Sequence, residues 1–206
     1  MIILSAKHGQ SPDTPSLLTR IPDGPILDGL NAAWKVAHPS FSGDLVAVSV
    51  DDDGVIMWLN DRSTEATEFA KDYLLDHNGI GNDINGNPKP YTSSGLVTVY
   101  AGEAAADSFG VKPGDSRVPD IFGVARVGTV FTGGHGKIAE HGGTNPQDRD
   151  VPLVVSGAAL GEHGVSNQPV ETTQIAPTIL QLLGLDPDKL QAVQIEGTRV
   201  LPGIGR

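Results

Sequence analysis

The chain has 206 residues, a formal net charge of −11 and no cysteine. Its length fits one domain with a sizeable core. Its negative charge argues against a protein that coats nucleic acids, although a metal ion could still hold a small phosphate ester. The lack of cysteine excludes disulfides and thiolate zinc sites, so any metal must be bound by His, Asp, Glu or Thr.

The first predicted element is a buried strand at residues 2–5, which leads into the sequence Lys7-His8-Gly9. Ligand groups in α/β folds collect where strands end, and a neutral imidazole is a good ligand for zinc or a similar ion. The glycine lets the backbone turn sharply and approach a ligand. His8 is therefore a candidate metal ligand, although a single His-Gly pair is also typical of an ordinary surface loop.

A helix and a hairpin are predicted next. Apolar residues at spacings of three and four predict a helix at 25–37. Two apolar runs, 45–50 and 55–59, flank the sequence Asp-Asp-Asp-Gly at 51–54, which is a hairpin signal. Three consecutive aspartates could form a calcium loop, but the spacing of such a loop and its final Glu are missing.

The middle of the chain predicts a helix followed by a loop. Residues 63–77 form the clearest predicted helix, with Ser63 or Thr64 as its N-cap. The stretch at 78–95, rich in Gly, Asn and Pro, is predicted to be a long exposed loop.

Four short elements are predicted after that loop. They are strands at 96–100, 119–124 and 128–131 and a helix at 103–109. We expect the last two strands to bring the chain back to the candidate site.

Residues 132–143 contain five glycines and two histidines. A phosphate-binding loop around Lys137 is not favoured, because Ile138 stands where such a loop requires Ser or Thr. His141 lies within Glu-His-Gly-Gly and is the second candidate metal ligand. It is far from His8 in the chain, so only the fold can bring the two together. The remaining histidines are weaker candidates: His38, His77, His135 and His163.

Two elements are predicted near the end of the chain. Residues 151–156 are nearly all apolar, which predicts a buried strand of the type found in parallel sheets. A last helix at 172–184 is expected to turn Ile175, Ile179 and Leu182 toward the core.

Three segments together resemble the alkaline phosphatase superfamily, and more narrowly its type I phosphodiesterase/nucleotide pyrophosphatase branch. They are the strand that leads to His8, the sequence at 137–143 with the apolar strand that follows it, and the helix at 172–185. The resemblance covers both ends of the chain and is weak in the middle.

The resemblance implies an α/β fold with a defined domain organisation. Residues 1–39 and 116–206 would form the C-terminal part of an alkaline-phosphatase-like three-layer sandwich. Residues 40–115 would be a small inserted α/β subdomain, and in the family such inserts lie over the site and influence substrate choice.

The resemblance also implies a metal-dependent phosphoesterase that uses zinc or another divalent metal. In the family an Asp-His pair binds one of two metals and a later His before Gly binds the other, and His8 and His141 match those histidines. The implied substrate is a small phosphate ester or a nucleotide. We expect no nucleic-acid polymer as partner and no membrane, because no run of about 18 apolar residues is present. The family favours secreted or periplasmic proteins, and no signal peptide is visible here.

Two departures from the family pattern bear on activity. Lys7 stands where the family has the Asp of its Asp-His pair; a lysine cannot be an oxygen ligand, but it could contact an anionic oxygen or simply lie at the surface. No Asp-x-x-x-His sequence occurs and no nucleophile can be assigned. We therefore expect the C-terminal portion of such an enzyme, with an N-terminal half or a second copy as partner. The alternatives are a non-catalytic binding module and a fragment without a function of its own.

Overall fold

The computed structural model describes residues 1–157, 160 and 164–204, and it shows a mixed α/β protein. Within these residues ten strands form three small sheets, accompanied by six α-helices. The strands are β1 (Ile2–Ser5), β2 (Thr19–Ile21), β3 (Val46–Asp52), β4 (Gly54–Leu59), β5 (Gly79–Asn82), β6 (Pro88–Tyr91), β7 (Leu96–Ala101), β8 (Ile121–Ala125), β9 (Thr129–Phe131) and β10 (Leu153–Ser156). The helices are α1 (Gly24–Ala37), α2 (Thr64–Asp76), α3 (Glu103–Ser108), α4 (Pro146–Arg149), α5 (Ile175–Leu182) and α6 (Gln191–Glu196).

The chain divides into two compact units. The first combines Met1–Lys7 with Val151–Arg206, and the second is His8–Asp150. The expected insertion at 40–115 stays a prediction. Strands β3, β4 and β7 of that segment share a sheet with β8, which follows it in the chain.

In the first unit, β1 and β10 form a two-stranded antiparallel sheet. The strand predicted at residues 2–5 is confirmed, but its predicted burial is wrong, as is the parallel character predicted for β10. Ile2 is 69% exposed, Leu4 64% and Val154 51%, whereas their neighbours along each strand are half-buried. This alternation is typical of antiparallel strands that are covered on one face.

The last long helix, α5, follows a 3₁₀ turn at Thr172–Gln174. Its buried residues are Pro177 and Thr178, whereas Ile179 is 43% exposed. The predicted core position of Ile179 is therefore wrong. The buried Thr178 hydroxyl accepts a backbone N–H from the C-terminal segment, so a polar contact lies where an apolar one was expected.

The second unit contains two four-stranded sheets, ordered β6-β5-β2-β9 and β3-β4-β8-β7. Strands β2 and β9 are parallel, and the other neighbouring pairs are antiparallel. The predicted β3–β4 hairpin is confirmed. The long loop predicted at 78–95 is wrong, because β5 and β6 form a second hairpin there. At its tip the Asp83 carboxylate accepts hydrogen bonds from the backbone of Asn85 and Asn87, so the polar residues form a turn.

Helices α1 and α2 confirm their predictions and pack into the core of the second unit. The Ser63 hydroxyl caps α2 by accepting the Ala66 N–H at 3.2 Å. Trp34 from α1 and Leu74 from α2 are buried together with Met57 from β4. This core fixes the β3–β4 hairpin, whose turn supports the candidate site.

Candidate functional site

A pair of backbone hydrogen bonds joins the loop after His8 to the loop before His141. Ser11 donates its N–H to the Glu140 carbonyl at 2.8 Å, and Glu140 donates its N–H to the Ser11 carbonyl at 2.7 Å. The two imidazole rings consequently stack, with their centroids 3.9 Å apart and their planes inclined by 19°. The predicted convergence of the two histidines is present, whereas metal binding by them stays a prediction.

The His8 ring has a defined hydrogen-bonding state. Its Nδ1 lies 2.7 Å from the carbonyl oxygen of Gly9. Because a carbonyl oxygen can only accept, Nδ1 carries the proton, and in the neutral ring Nε2 keeps its lone pair. Metal-ligating histidines commonly donate their second nitrogen to a backbone carbonyl in this way. His8 is therefore suited to bind an ion through Nε2.

The stacked geometry limits how the two rings can share ions. The lone pair of an imidazole nitrogen lies in the plane of its ring, and these two planes are nearly parallel. The lone pairs of the two rings therefore do not converge on one point within the roughly 2.0–2.1 Å of a zinc–nitrogen bond. One ion bound to both rings is therefore disfavoured. Two ions roughly 3.5–4 Å apart, as in two-metal sites, fit one ring each.

Glycines allow the backbone to close tightly around the rings. A Cβ atom on Gly9 would lie 1.9 Å from the carbonyl oxygen of Gln147, and one on Gly143 would lie 2.3 Å from that of Asp53. No other residue fits at either position without a shift of backbone. The loop of each histidine is thus pressed against a neighbouring segment, α4 for His8 and the β3–β4 turn for His141.

Behind the histidines lies a buried layer made by Asp53, Asn145 and Asp148. Asp53 is 1% exposed and Asp148 3%. Asp53 donates its backbone N–H to the His141 carbonyl at 2.9 Å, and the Asp148 carbonyl accepts the Gly9 N–H at 2.6 Å. Each buried aspartate is therefore tied through the main chain to one histidine loop.

Two carboxyl groups in and beside this layer have raised pKa values, because they are buried and lie close to other carboxyl groups. Burial, together with a side-chain contact to Asp148, raises the pKa of Asp53 to about 8, although the Asn145 amide, which donates to Asp53 Oδ2 at 2.8 Å, opposes the shift. Burial and the neighbouring Asp23 carboxylate raise the pKa of Asp51 to about 6, against the opposing charge of Lys137. The aspartates of the β3–β4 turn therefore favour a proton or another cation nearby.

The Glu140 side chain of the Glu-His-Gly-Gly sequence is buried and forms an ion pair with Lys137. The Glu140 carboxylate is therefore held by a lysine, while its backbone joins the two histidine loops. Lys137 acts here as the partner of a carboxylate, which agrees with discounting a phosphate-binding loop.

The other candidates lie elsewhere or serve different contacts. Lys7 belongs to the first unit and is exposed, so its predicted role as an anion contact stays a prediction. His135 is exposed near Gly86 in the β5–β6 turn. His38 stacks on Trp34 at the end of α1. His163 lies outside the described residues.

His77 ends α2 and stacks on Tyr73, with ring centroids 5.5 Å apart. This contact packs His77 against the end of α2, where it is half-buried rather than at the surface as predicted.

Sequence reasoning missed Asp148 and Asn145, and it set Asp53 aside. Three aspartates at a hairpin turn are a signal for Asp53, although they lack the spacing of a calcium loop. Asn145 and Asp148 flank the start of α4, where such residues are common helix caps. Nothing in that local pattern indicates burial against a distant carboxyl group.

Within the described ranges, no group of three or more His, Asp or Glu side chains is arranged to hold one metal ion. Among the helices that the structure describes, none is long and apolar enough to cross a membrane. Comparison of the chain with protein-family models, with curated proteins and with solved structures finds no significant match.

Proposed function

We propose that this chain carries two metal-binding histidines of a metal-dependent phosphoesterase, of the phosphodiesterase/nucleotide pyrophosphatase type. The observation that supports this is the close approach of His8 to His141, whose rings stack. The resemblance to the alkaline phosphatase superfamily led us to expect that the two histidines converge. Under the proposal, residues 1–39 and 116–206 correspond to the C-terminal part of that superfamily's three-layer sandwich. The substrate class is a small phosphate ester or a nucleotide.

Each histidine has a separate role in the proposal. His8 binds one zinc ion through Nε2, while its Nδ1–H is held by the Gly9 carbonyl. His141 binds a second ion, and the Ser11–Glu140 backbone pair sets the distance between the rings. Bound zinc ions would stabilise the attacking and leaving oxygens of an in-line displacement at phosphorus.

This chain does not supply every part of such a site by itself. Its sequence has no Asp-x-x-x-His pair, and no Ser or Thr can be assigned as the nucleophile. We propose that these groups come from another segment of polypeptide, either in the same protein or in a partner chain. Zinc binding by the two histidines alone should accordingly be weak.

Imidazole ¹⁵N chemical shifts during a zinc titration test this assignment. We expect the Nε2 signals of His8 and His141 to shift with zinc, and the Nδ1 of His8 to remain protonated throughout. His8→Ala and His141→Ala should each remove one zinc equivalent, whereas His135→Ala, at an exposed loop histidine, should bind zinc as the wild type does. Unchanged Nε2 shifts for both histidines at saturating zinc would rule out the site.

A non-catalytic binding module is the second candidate, because Lys7 replaces the acidic ligand that the family uses. Hydrolysis of an aryl phosphodiester separates the two functions. Zinc-dependent turnover by the wild type above the rate of the His8→Ala variant would exclude the non-catalytic module. Zinc binding without turnover, even when the missing segment is supplied, would favour it.

A further inference from the structure

Buried oxygen atoms without a donor are concentrated behind the two histidines. Asp53 Oδ1 and both carboxylate oxygens of Asp148 find no hydrogen-bond donor among the described residues, and both side chains are at least 97% buried. Buried carboxylates are normally paired with a cation or fully hydrogen-bonded, because removing their charge from water is costly. This arrangement therefore calls for a positive partner.

The two carboxyl groups are neighbours, since a side-chain contact with Asp148 contributes to the raised pKa of Asp53. Asn145 donates its amide to Asp53 Oδ2 at 2.8 Å and to the Ala125 carbonyl at 3.2 Å, which leaves Asp53 Oδ1 without a donor among the described residues. Two ionised carboxylates cannot adopt this contact unless a proton or a metal ion lies between them.

We propose that Asp53 and Asp148 bind a hard divalent cation, such as Ca²⁺ or Mg²⁺, at a site separate from the two histidines. Carboxylate oxygens are the ligands that these ions prefer, whereas zinc favours the imidazoles. Two carboxylates, with backbone carbonyls or water, are a sufficient protein contribution for such an ion. The proposal does not depend on zinc binding at His8 or His141.

The cation would fix the positions of both histidine loops. It would join the β3–β4 turn, which carries Asp53, to helix α4, which carries Asp148. Each of these residues is also hydrogen-bonded through its backbone to one histidine loop, Asp53 to His141 and Asp148 to Gly9. Metal binding there would thus stabilise the stacked arrangement without contacting either ring.

The neighbourhood of the site favours a cation. Asp51 and Asp52 lie on the same turn, and Asp23 lies beside Asp51. Lys137, which opposes the raised pKa of Asp51, is paired with Glu140.

Calorimetric titration of the EDTA-treated full chain with Ca²⁺, and separately with Mg²⁺, tests the site. We expect one equivalent to bind to the wild type. Saturating cation should raise the melting temperature by about 3–8 °C. Asp148→Asn and Asp53→Asn should abolish both effects, with circular dichroism confirming that each variant is folded.

Two control variants locate the effect. Asp150→Asn, at an exposed residue near Asp148, should leave the cation response unchanged, and so should the double variant His8→Ala/His141→Ala. If the wild type binds neither ion and its melting temperature is unchanged by them, the two carboxyls share a proton and the proposal is wrong. It is equally wrong if the response is lost in the double histidine variant but kept in Asp148→Asn, because the ion then binds at the histidines.

Discussion

The histidine pair and the carboxyl pair lie in adjacent layers of the second unit, yet they differ in exposure. His8 and His141 are half-buried and stacked, and His8 keeps Nε2 available. Asp53 and Asp148 are almost fully buried, and three of their four oxygens have no donor among the described residues. A half-exposed pair can exchange ligands with solvent, whereas a buried pair mainly determines whether the surrounding backbone keeps its shape. The outer layer is thus suited to chemistry and the inner one to support.

The largest effect should come from separating the two layers sterically. In Gly9→Ala, the new Cβ would overlap the Gln147 carbonyl oxygen at 1.9 Å, which forces the His8 loop away from α4. We expect a loss of about 3 kcal/mol or more in the free energy of unfolding, measured by urea denaturation. The zinc-induced change in the ¹⁵N chemical shifts of His8 should also be smaller in Gly9→Ala than in the wild type.

The matched control is Gly136→Ala, because a Cβ there meets nothing within 4 Å. That change should alter the free energy of unfolding by less than about 1 kcal/mol. Equal stability of the Gly9 and Gly136 variants would show that the His8 loop is not held by close contact with α4.

The second prediction uses pH to act on the inner layer alone. The raised pKa of Asp53, about 8, means that the folded protein holds a proton that the unfolded chain releases near pH 4. In EDTA, the free energy of unfolding should therefore fall as the pH rises from about 4 to 8, by at most about 1.4 kcal/mol per pH unit. It should be greatest near pH 4. Urea denaturation at several pH values measures the slope.

The Asp53→Asn variant should lose most of this slope, since an amide does not titrate. Added Ca²⁺ should flatten it in the wild type, because the ion replaces the proton as the partner of the carboxyl pair. A wild-type chain whose stability in EDTA rises with pH across the same window would contradict the protonated carboxyl pair.

The sequence predicts those features of the fold and the site that a few adjacent residues determine. The α2 cap at Ser63 and the Asp-Gly hairpin could be predicted, because a few adjacent residues determine each of them. The half exposure of β1 was not readable, since an apolar run does not reveal that only one face of a strand is covered. The burial of Asp148 was not readable either, because its partner Asp53 is distant in the chain and only the fold brings them together.

The smallest effect should come from the ion pair beside the outer layer. In Lys137→Met the Glu140 carboxylate, 6% exposed, loses its lysine, which should cost about 1–2 kcal/mol. The same substitution at Lys71, whose partner Glu68 is 49% exposed and also three residues away, should cost less than about 0.5 kcal/mol. Because Glu140 also bridges to Ser11, the Lys137 variant alone should broaden the His8 and His141 ring signals. Equal losses of stability in the two variants would mean that burial of Glu140 does not strengthen its ion pair. Unchanged ring signals in the Lys137 variant would mean that the backbone bridge alone sets the spacing of the histidines.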